Sequence, residues 1–392
     1  MKTKLDNNIL TLYLEGKIDS TNAPLVEDEI MSAVDSADSA GVKIDAEGLL
    51  YISSAGLRVL MKLQKRVDTP IEIIHVSREV YEIFDVTGFT QIMNVKKALR
   101  KVSIDGLELI GKGMTGSVYR MDEETVIKVF NQNINFDMII KQENNKARNA
   151  FISGIPTAIP YDIVRVGNCY GTVYELLDAK DLVTVISEDK EHMDDYIRAF
   201  AQTVREMHET KVDAEKFEPT KEKSIQAVAY LASVLSPEEM DKVREIYANV
   251  PDRDTFIHGD CHIGNAMMQD GRMMFIDLAT AGMGHPIYDM GSMYSLFCER
   301  ANDPKAIAES PVLCHFTQEE IRRIWNVYIR SYLGTDDETL ITKAEKQIAG
   351  LSMTRRLFMV IAMPGVLSPE AFGALKQAVM DFHDNELEPI CF

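Results

Sequence analysis

Three groups that could share one chemistry lie close together in the second half of this 392-residue chain. Asp260 and Asn265 stand in Ile257-His258-Gly259-Asp260-Cys261-His262-Ile263-Gly264-Asn265, and Asp277 ends the apolar run Phe275-Ile276-Asp277. A carboxylate on a short loop can take the proton of an attacking hydroxyl. An amide oxygen on the same loop, with a second carboxylate from a nearby strand, is the hard-oxygen donor set that suits Mg²⁺. Together they suit phosphoryl transfer from a nucleotide to a hydroxyl. By itself His-Gly-Asp also fits an ordinary tight turn, so the surrounding elements must carry the distinction.

Upstream, Leu109-Ile110-Gly111-Lys112-Gly113-Met114-Thr115-Gly116-Ser117-Val118-Tyr119 carries a G-x-G-x-x-G-x-V pattern, and Val126-Ile127-Lys128 lies on the next apolar run. Gly111, Gly113 and Gly116 alone would also fit a dinucleotide-binding turn. Here they fall between two strand-like runs with no helix opening after them, and the dinucleotide reading loses. A glycine hairpin followed by a strand lysine, then Glu, Asp, Asn and Asp in order, resembles the arrangement of kinases. Glu143, on a helix expected over 136–153, is the candidate that aims Lys128 at the ATP phosphates; its alternative is a solvated surface residue. Tyr174-Glu175-Leu176-Leu177-Asp178 ends a strand, and backbone groups from Glu175 to Leu177 are expected at the adenine edge.

A net charge of −19 argues against nucleic-acid binding, which needs clustered Lys and Arg. Residues 1–100 hold 12 Lys and Arg against 15 Asp and Glu, so most of the excess lies beyond them. An acidic cleft would favour a cationic substrate, although acidic faces usually serve solubility. Cys169, Cys261, Cys298, Cys314 and Cys391 are dispersed with no C-x-x-C pair, as expected for reduced thiols in a cytoplasmic protein. Cys261 reads as a small filler inside the loop. No apolar run approaches the ~20 residues that span a bilayer, and no membrane association is expected.

The first hundred residues alternate strand-like runs (9–14, 42–46, 71–76) with helix-like ones (through Val26, Ile30 and Val34; after Ser53-Ser54; 80–87), a small α/β layer domain. Gly16-Lys17-Ile18-Asp19, 42–46, Tyr51-Ile52-Ser53-Ser54-Ala55-Gly56-Leu57 and Ser77-Arg78-Glu79-Val80 together resemble a STAS domain, the fold of bacterial anti-sigma factor antagonists. The resemblance covers 1–99 and implies a protein partner, with Ser54 at the position that a partner kinase phosphorylates in that family. The family often has Asp just before that serine; here Ser53 stands there, and a plain Ser-Ser helix cap is the alternative.

A linker is expected over 96–105. Beyond it, 105–176 reads as a strand-rich lobe (107–110, 117–121, 125–130, 161–166, 169–175) and 177–392 as a helical one, including 228–235, 240–247, 319–333, 337–362 and 369–383. His208 falls at a helix end. His258-Gly259-Asp260 with Asn265, Ile276-Asp277 and Gly284-His285-Pro286-Ile287-Tyr288-Asp289 resembles the aminoglycoside phosphotransferase and choline kinase group, a bilobal α+β protein-kinase-like fold. Carried over, Asp260 is the catalytic base, Asn265 and Asp277 are the Mg²⁺ ligands, Lys128 is the phosphate lysine and Asp289 a structural acceptor. Cys261, Ile263 and Leu278 depart from the usual Leu, Pro and aromatic without replacing a ligand, and an active enzyme is expected. The leading expectation is an ATP- and Mg²⁺-dependent kinase for a hydroxyl-bearing small molecule. A protein kinase acting on Ser54 or a partner's serine, and a nucleotide-sensing binding module, are the alternatives. His262 is expected to support the loop.

Overall fold

The computed structural model describes residues 1–37, 41–67, 69–113, 115–131, 141–363 and 365–392. The chain divides into two units, Met1–Ser103 and Ile104–Phe392.

In the first unit, strands β1 (Lys2–Asp6), β2 (Ile9–Ile18), β3 (Gly41–Ile52), β4 (Glu72–Val76) and β5 (Asn94–Lys97) lie side by side in that order. β1 is antiparallel to β2, whereas the other three pairings are parallel. Parallel neighbours require long crossovers, and helices α1 (Ala23–Ser36), α2 (Ser54–Gln64) and α3 (Arg78–Val86) supply them. Leu10, Leu12 and Leu14 alternate inward along β2 and share one core with Ile30, Leu60 and Phe84 from the helices. β1 carries no alternating signal because all five of its residues are exposed; only its pairing with β2 makes it a strand. Lys96 and Lys97, expected in the linker, belong to β5, where Lys97 pairs with Val76. A two-residue strand, Arg100–Lys101 (β6), follows.

The second unit begins with β7 (Glu108–Lys112), β8 (Gly116–Arg120), β9 (Thr125–Phe130), β10 (Pro160–Val166) and β11 (Cys169–Glu175), paired antiparallel in the order β10-β11-β9-β8-β7. Helix α4 covers Lys141–Ile152, and residues 136–140 of the expected helix lie outside the described residues. Gly154, at φ +87°, turns the chain after it.

The helical remainder holds β12 (Lys180–Asp181), α5 (Leu182–Glu188), α6 (Met193–Glu209), α7 (Thr220–Ala227) and α8 (Pro237–Ala248). Short strands β13 (Phe256–Ile257), β14 (Ala266–Gln269), β15 (Arg272–Phe275) and β16 (Gly282–Met283) carry the site. Helices α9 (Ile287–Tyr294), α10 (Pro304–Glu309), α11 (Gln318–Leu333), α12 (Glu338–Ala362) and α13 (Pro369–Glu386) complete the chain. Part of the helix expected over 228–235 is instead a tighter 3₁₀ stretch, Val228–Ser233. Phe200, Phe256, Phe275 and Tyr328 are fully buried in the core beneath the short strands. Among the described residues no helix is long and apolar enough to cross a membrane.

Candidate active site

The Asp260 loop is set by a carboxylate outside it. Asp289, in the first turn of α9, is fully buried and accepts from His258 N (2.7 Å), Gly259 N (2.6 Å) and His208 Nε2 (2.9 Å). Such charge-assisted bonds compensate a buried carboxylate for lost water. His208, at the end of α6, is itself bonded through Nδ1 to Tyr332 Oη (2.8 Å). His258 is buried, with Nε2 3.0 Å from Ile276 O and Nδ1 accepting from Asp260 N (3.3 Å). Burial holds that imidazole below its ordinary pKa, in its neutral form. Gly259 is fixed by the geometry. Its φ is +82°, and a Cβ there would lie 2.4 Å from Thr280 O.

β14 and β15 form a hairpin closed by Asp270-Gly271, both at positive φ, a turn whose twist suits tight hairpins. The hairpin returns the chain so that Ile276 N donates to Asn265 O (3.0 Å), which brings Asn265 and Asp277 side by side. Asn265 Nδ2 donates to Asp260 O (2.9 Å) and lies 3.4 Å from Asp260 Oδ2. With its nitrogen so engaged, Oδ1 is the atom left for another partner. Asp277 sits in the left-handed region (φ +61°) and is exposed. His262 Nδ1 accepts from Gly264 N (3.1 Å), so this ring does brace the loop. Cys261 is buried, and burial pushes its thiol far above the ordinary range, which leaves an inert filler.

On the facing wall, Lys128 Nζ from β9 lies 2.7 Å from Glu143 Oε1 on α4 and 3.2 Å from Asp277 Oδ1. Glu143 is buried, not a solvated surface residue, and also accepts from Tyr174 Oη (3.3 Å). Burial works against the Lys128 charge, but the two carboxylates outweigh it and hold the ammonium above its ordinary pKa. Burial raises Glu143, and Lys128 offsets part of that. At Asp260, burial opposes ionisation, yet the neighbouring His262 ring and the Arg355 guanidinium bring the carboxyl down to about 2.

The glycines of the first hairpin differ. Gly116 is demanded by the fold, since a Cβ would lie 2.2 Å from Val129 O. At Gly111 and Gly113 nothing comes closer than 3.7 Å to such a Cβ. The hairpin closes through Gly113 N to Gly116 O (2.9 Å); Met114 lies outside the described residues. At the crossing, Glu175 N donates to Ile159 O and Leu176 N to Glu124 O. Of the backbone groups expected there for a base, the N–H groups of Glu175 and Leu176 are already engaged by Ile159 O and Glu124 O, which leaves the Leu177 N–H as the remaining donor.

In the other unit, Ser53 caps α2, its hydroxyl accepting from Gly56 N (3.4 Å), and Ser54 opens the helix exposed to solvent. Gly56 is required by packing, because a Cβ would lie 2.7 Å from Ile18 Cγ2.

Reading residues along the chain missed Arg355, on α12, whose Nη2 lies 4.0 Å from Asp260 Oδ1. It also missed Lys146, which donates to Ala279 O (2.9 Å) and ties α4 to the turn after Asp277. Only the Asp-Gly turn at 270–271 offered a local signal for the hairpin.

The model of the phosphotransferase enzyme family (APH) matches residues 107–310, and that of the STAS domain matches 1–102. The protein described as anti-sigma factor antagonist BtrV, of Bordetella bronchiseptica, is 34% identical over 100 residues, which are 24% of this chain and 85% of that protein. Among solved structures, the ADP-bound aminoglycoside phosphotransferase APH(2'')-Ib aligns with a TM-score of 0.49 at 16% identity, over 79% of this chain and 99% of that one. An anti-sigma factor antagonist from Mycobacterium paratuberculosis aligns with a TM-score of 0.23 at 18% identity, over 24% of this chain and 82% of that one.

Proposed function

Because the chain belongs to the phosphotransferase enzyme family and opens with a STAS domain, we propose that it moves the γ-phosphate of ATP to a hydroxyl of a small molecule. The observation that carries this reading is that one loop, one hairpin and one facing strand bring Asn265 to Asp260 and Lys128 to Asp277. Asp260, ionised and half-exposed, orients the acceptor hydroxyl and takes its proton. Lys128, aimed by Glu143, supports the α and β phosphates. Gly111 and Gly113 leave the hairpin bare of side chains where backbone must approach phosphates.

The donor set fits Mg²⁺: the exposed Asp277 carboxylate and the Asn265 Oδ1 left over from the Nδ2 hydrogen bond are hard oxygens brought together by the hairpin. When bound there, the ion supplies charge neutralisation for the phosphates. Leu177 is the candidate for the nucleotide base.

One observation favours a second reading, in which a serine is the acceptor. Ser54 is exposed in the first turn of α2, where a dianion is stabilised by free N–H groups. The first unit would in either reading dock a protein partner. Intact-mass spectrometry after incubation with Mg-ATP separates the two. The small-molecule reading expects no mass gain, with ATP turnover that disappears in Asp260→Ala. A one-phosphate gain lost in both Asp260→Ala and Ser54→Ala would replace it with self-phosphorylation.

A further inference from the structure

The oxygens of Asp260 face different neighbours. Oδ2 looks toward Asn265 Nδ2 (3.4 Å) and His262 Nε2 (3.7 Å), on the side leading to Asp277. Oδ1 looks toward Arg355 Nη2 at 4.0 Å. Arg355 arrives there through close helix packing. Ser352 Oγ reaches Gly291 O (3.4 Å), and a Cβ on Gly291 would meet Ser352 Cα at 3.9 Å. Small residues at both positions let α12 settle against α9. One turn further on, Arg355 Nη1 donates to the Oγ of buried Ser292 (2.6 Å).

That anchor fixes one arm of the guanidinium and leaves the other directed at the base. Four ångströms exceeds a hydrogen bond, so Arg355 is not fully used by Asp260, and 48% of its side chain is exposed. The next carboxylate along the chain from Ser292, Glu299, accepts from Ser295 Oγ and pairs with Arg356 (3.4 Å), which leaves Arg355 without it.

Resting on the phosphotransferase reading above, we infer that Arg355 lies on the acceptor side of Asp260 and that the hydroxyl substrate carries an anionic group which this guanidinium receives. A planar guanidinium held at one end is suited to a carboxylate or phosphate. The net charge of −19 pointed instead to a cation. Surface charge beyond about 8 Å is screened in physiological salt, whereas a guanidinium beside the reacting hydroxyl acts at contact. The local charge therefore decides the class of acceptor.

The test uses four small hydroxyl compounds that differ in the attached charge: glycolate, 2-hydroxyethyl phosphate, ethylene glycol and ethanolamine. Their binding to the full chain with Mg-AMPPNP is read by saturation-transfer NMR at about 20 mM, a concentration suited to weak fragments. Wild type is expected to give a signal for glycolate or hydroxyethyl phosphate about fivefold above that for ethanolamine, and the stronger of the two identifies the group. Arg355→Ala should bring the anion signals down to the ethanolamine level, and Arg355→Lys should retain a part. Anion signals no stronger than ethanolamine in wild type, no signal for either anion, or an unchanged preference in Arg355→Ala would each overturn the inference. Binding is read without turnover, so loss of the phosphotransferase reading shows separately, as ADP release that does not depend on Asp260.

Discussion

The loop that carries Asp260 and the wall that carries Lys128 are held by opposite means. The loop hangs from a fully buried carboxylate, Asp289, whose bonds run to backbone N–H groups and a buried histidine. The wall is a triangle of charges, Glu143, Lys128 and Asp277, with Asp277 open to water. Buried, fully satisfied networks specify one geometry and are costly to break. In the triangle only the Asp277 arm is adjustable, because water and ions can replace that exposed carboxylate. Asp260 is therefore positioned by the fold, and Lys128 by charge. Substitutions at the loop should cost stability first, and those at the wall activity first.

The largest effect is expected at the loop's anchor. Asp289→Ala strips three donors of their acceptor and should cost about 3–5 kcal/mol in urea unfolding; a loss below about 1 kcal/mol would dissolve the contrast. At the wall, Lys128→Met should lower ATP turnover by about 10²–10³-fold. Its unfolding free energy should stay within about 1 kcal/mol of wild type, since Glu143, already raised by burial, then takes up a proton. Gly259→Ala returns to the loop. A Cβ beside Thr280 O at φ +82° should cost about 2–3 kcal/mol, visible as a lower Tm.

The smallest effect sharpens the same division through pH. His285, just before α9, is buried; Nδ1 accepts from Ile287 N and Nε2 meets Phe392 O. Burial holds its pKa down at about 4. The unfolded chain, near the ordinary value of about 6.5, binds this proton first, so stability falls as pH drops from about 6.5 toward 4. The contribution should reach about 1–2 kcal/mol at pH 5, read as a Tm decline steeper in wild type than in His285→Gln. An equal slope in both would show that His285 does not carry this acid sensitivity.

Much of the site was legible because its chemistry needs residue types in a set order. The strands over 125–130 and 169–175 also stood out through dense β-branched and aromatic residues. What stayed hidden depends on contacts distant in sequence. Arg355 meets Asp260 across the packing of α12 against α9, where Ser352 Oγ reaches Gly291 O, and no periodicity along α12 announces that. β1 has no buried face to pattern it. The donors at Glu175 and Leu176 looked available because the carbonyls that engage them, of Ile159 and Glu124, are set by pairing rather than by local residues. The need for Gly259 was hidden as well, because its reason is the Thr280 carbonyl, which reaches it through the turn after Asp277.

The most direct measurement is ADP release from Mg-ATP, with water standing in for the acceptor hydroxyl, by the purified chain and by Asp260→Asn, with Tm recorded for both. Asn at 260 keeps the shape of the side chain and removes its capacity to take a proton. Turnover should fall by about 10²–10⁴-fold at an unchanged Tm. Turnover within about threefold of wild type, far below any general-base contribution, would show that Asp260 is not the base and that the convergence of these groups serves another purpose.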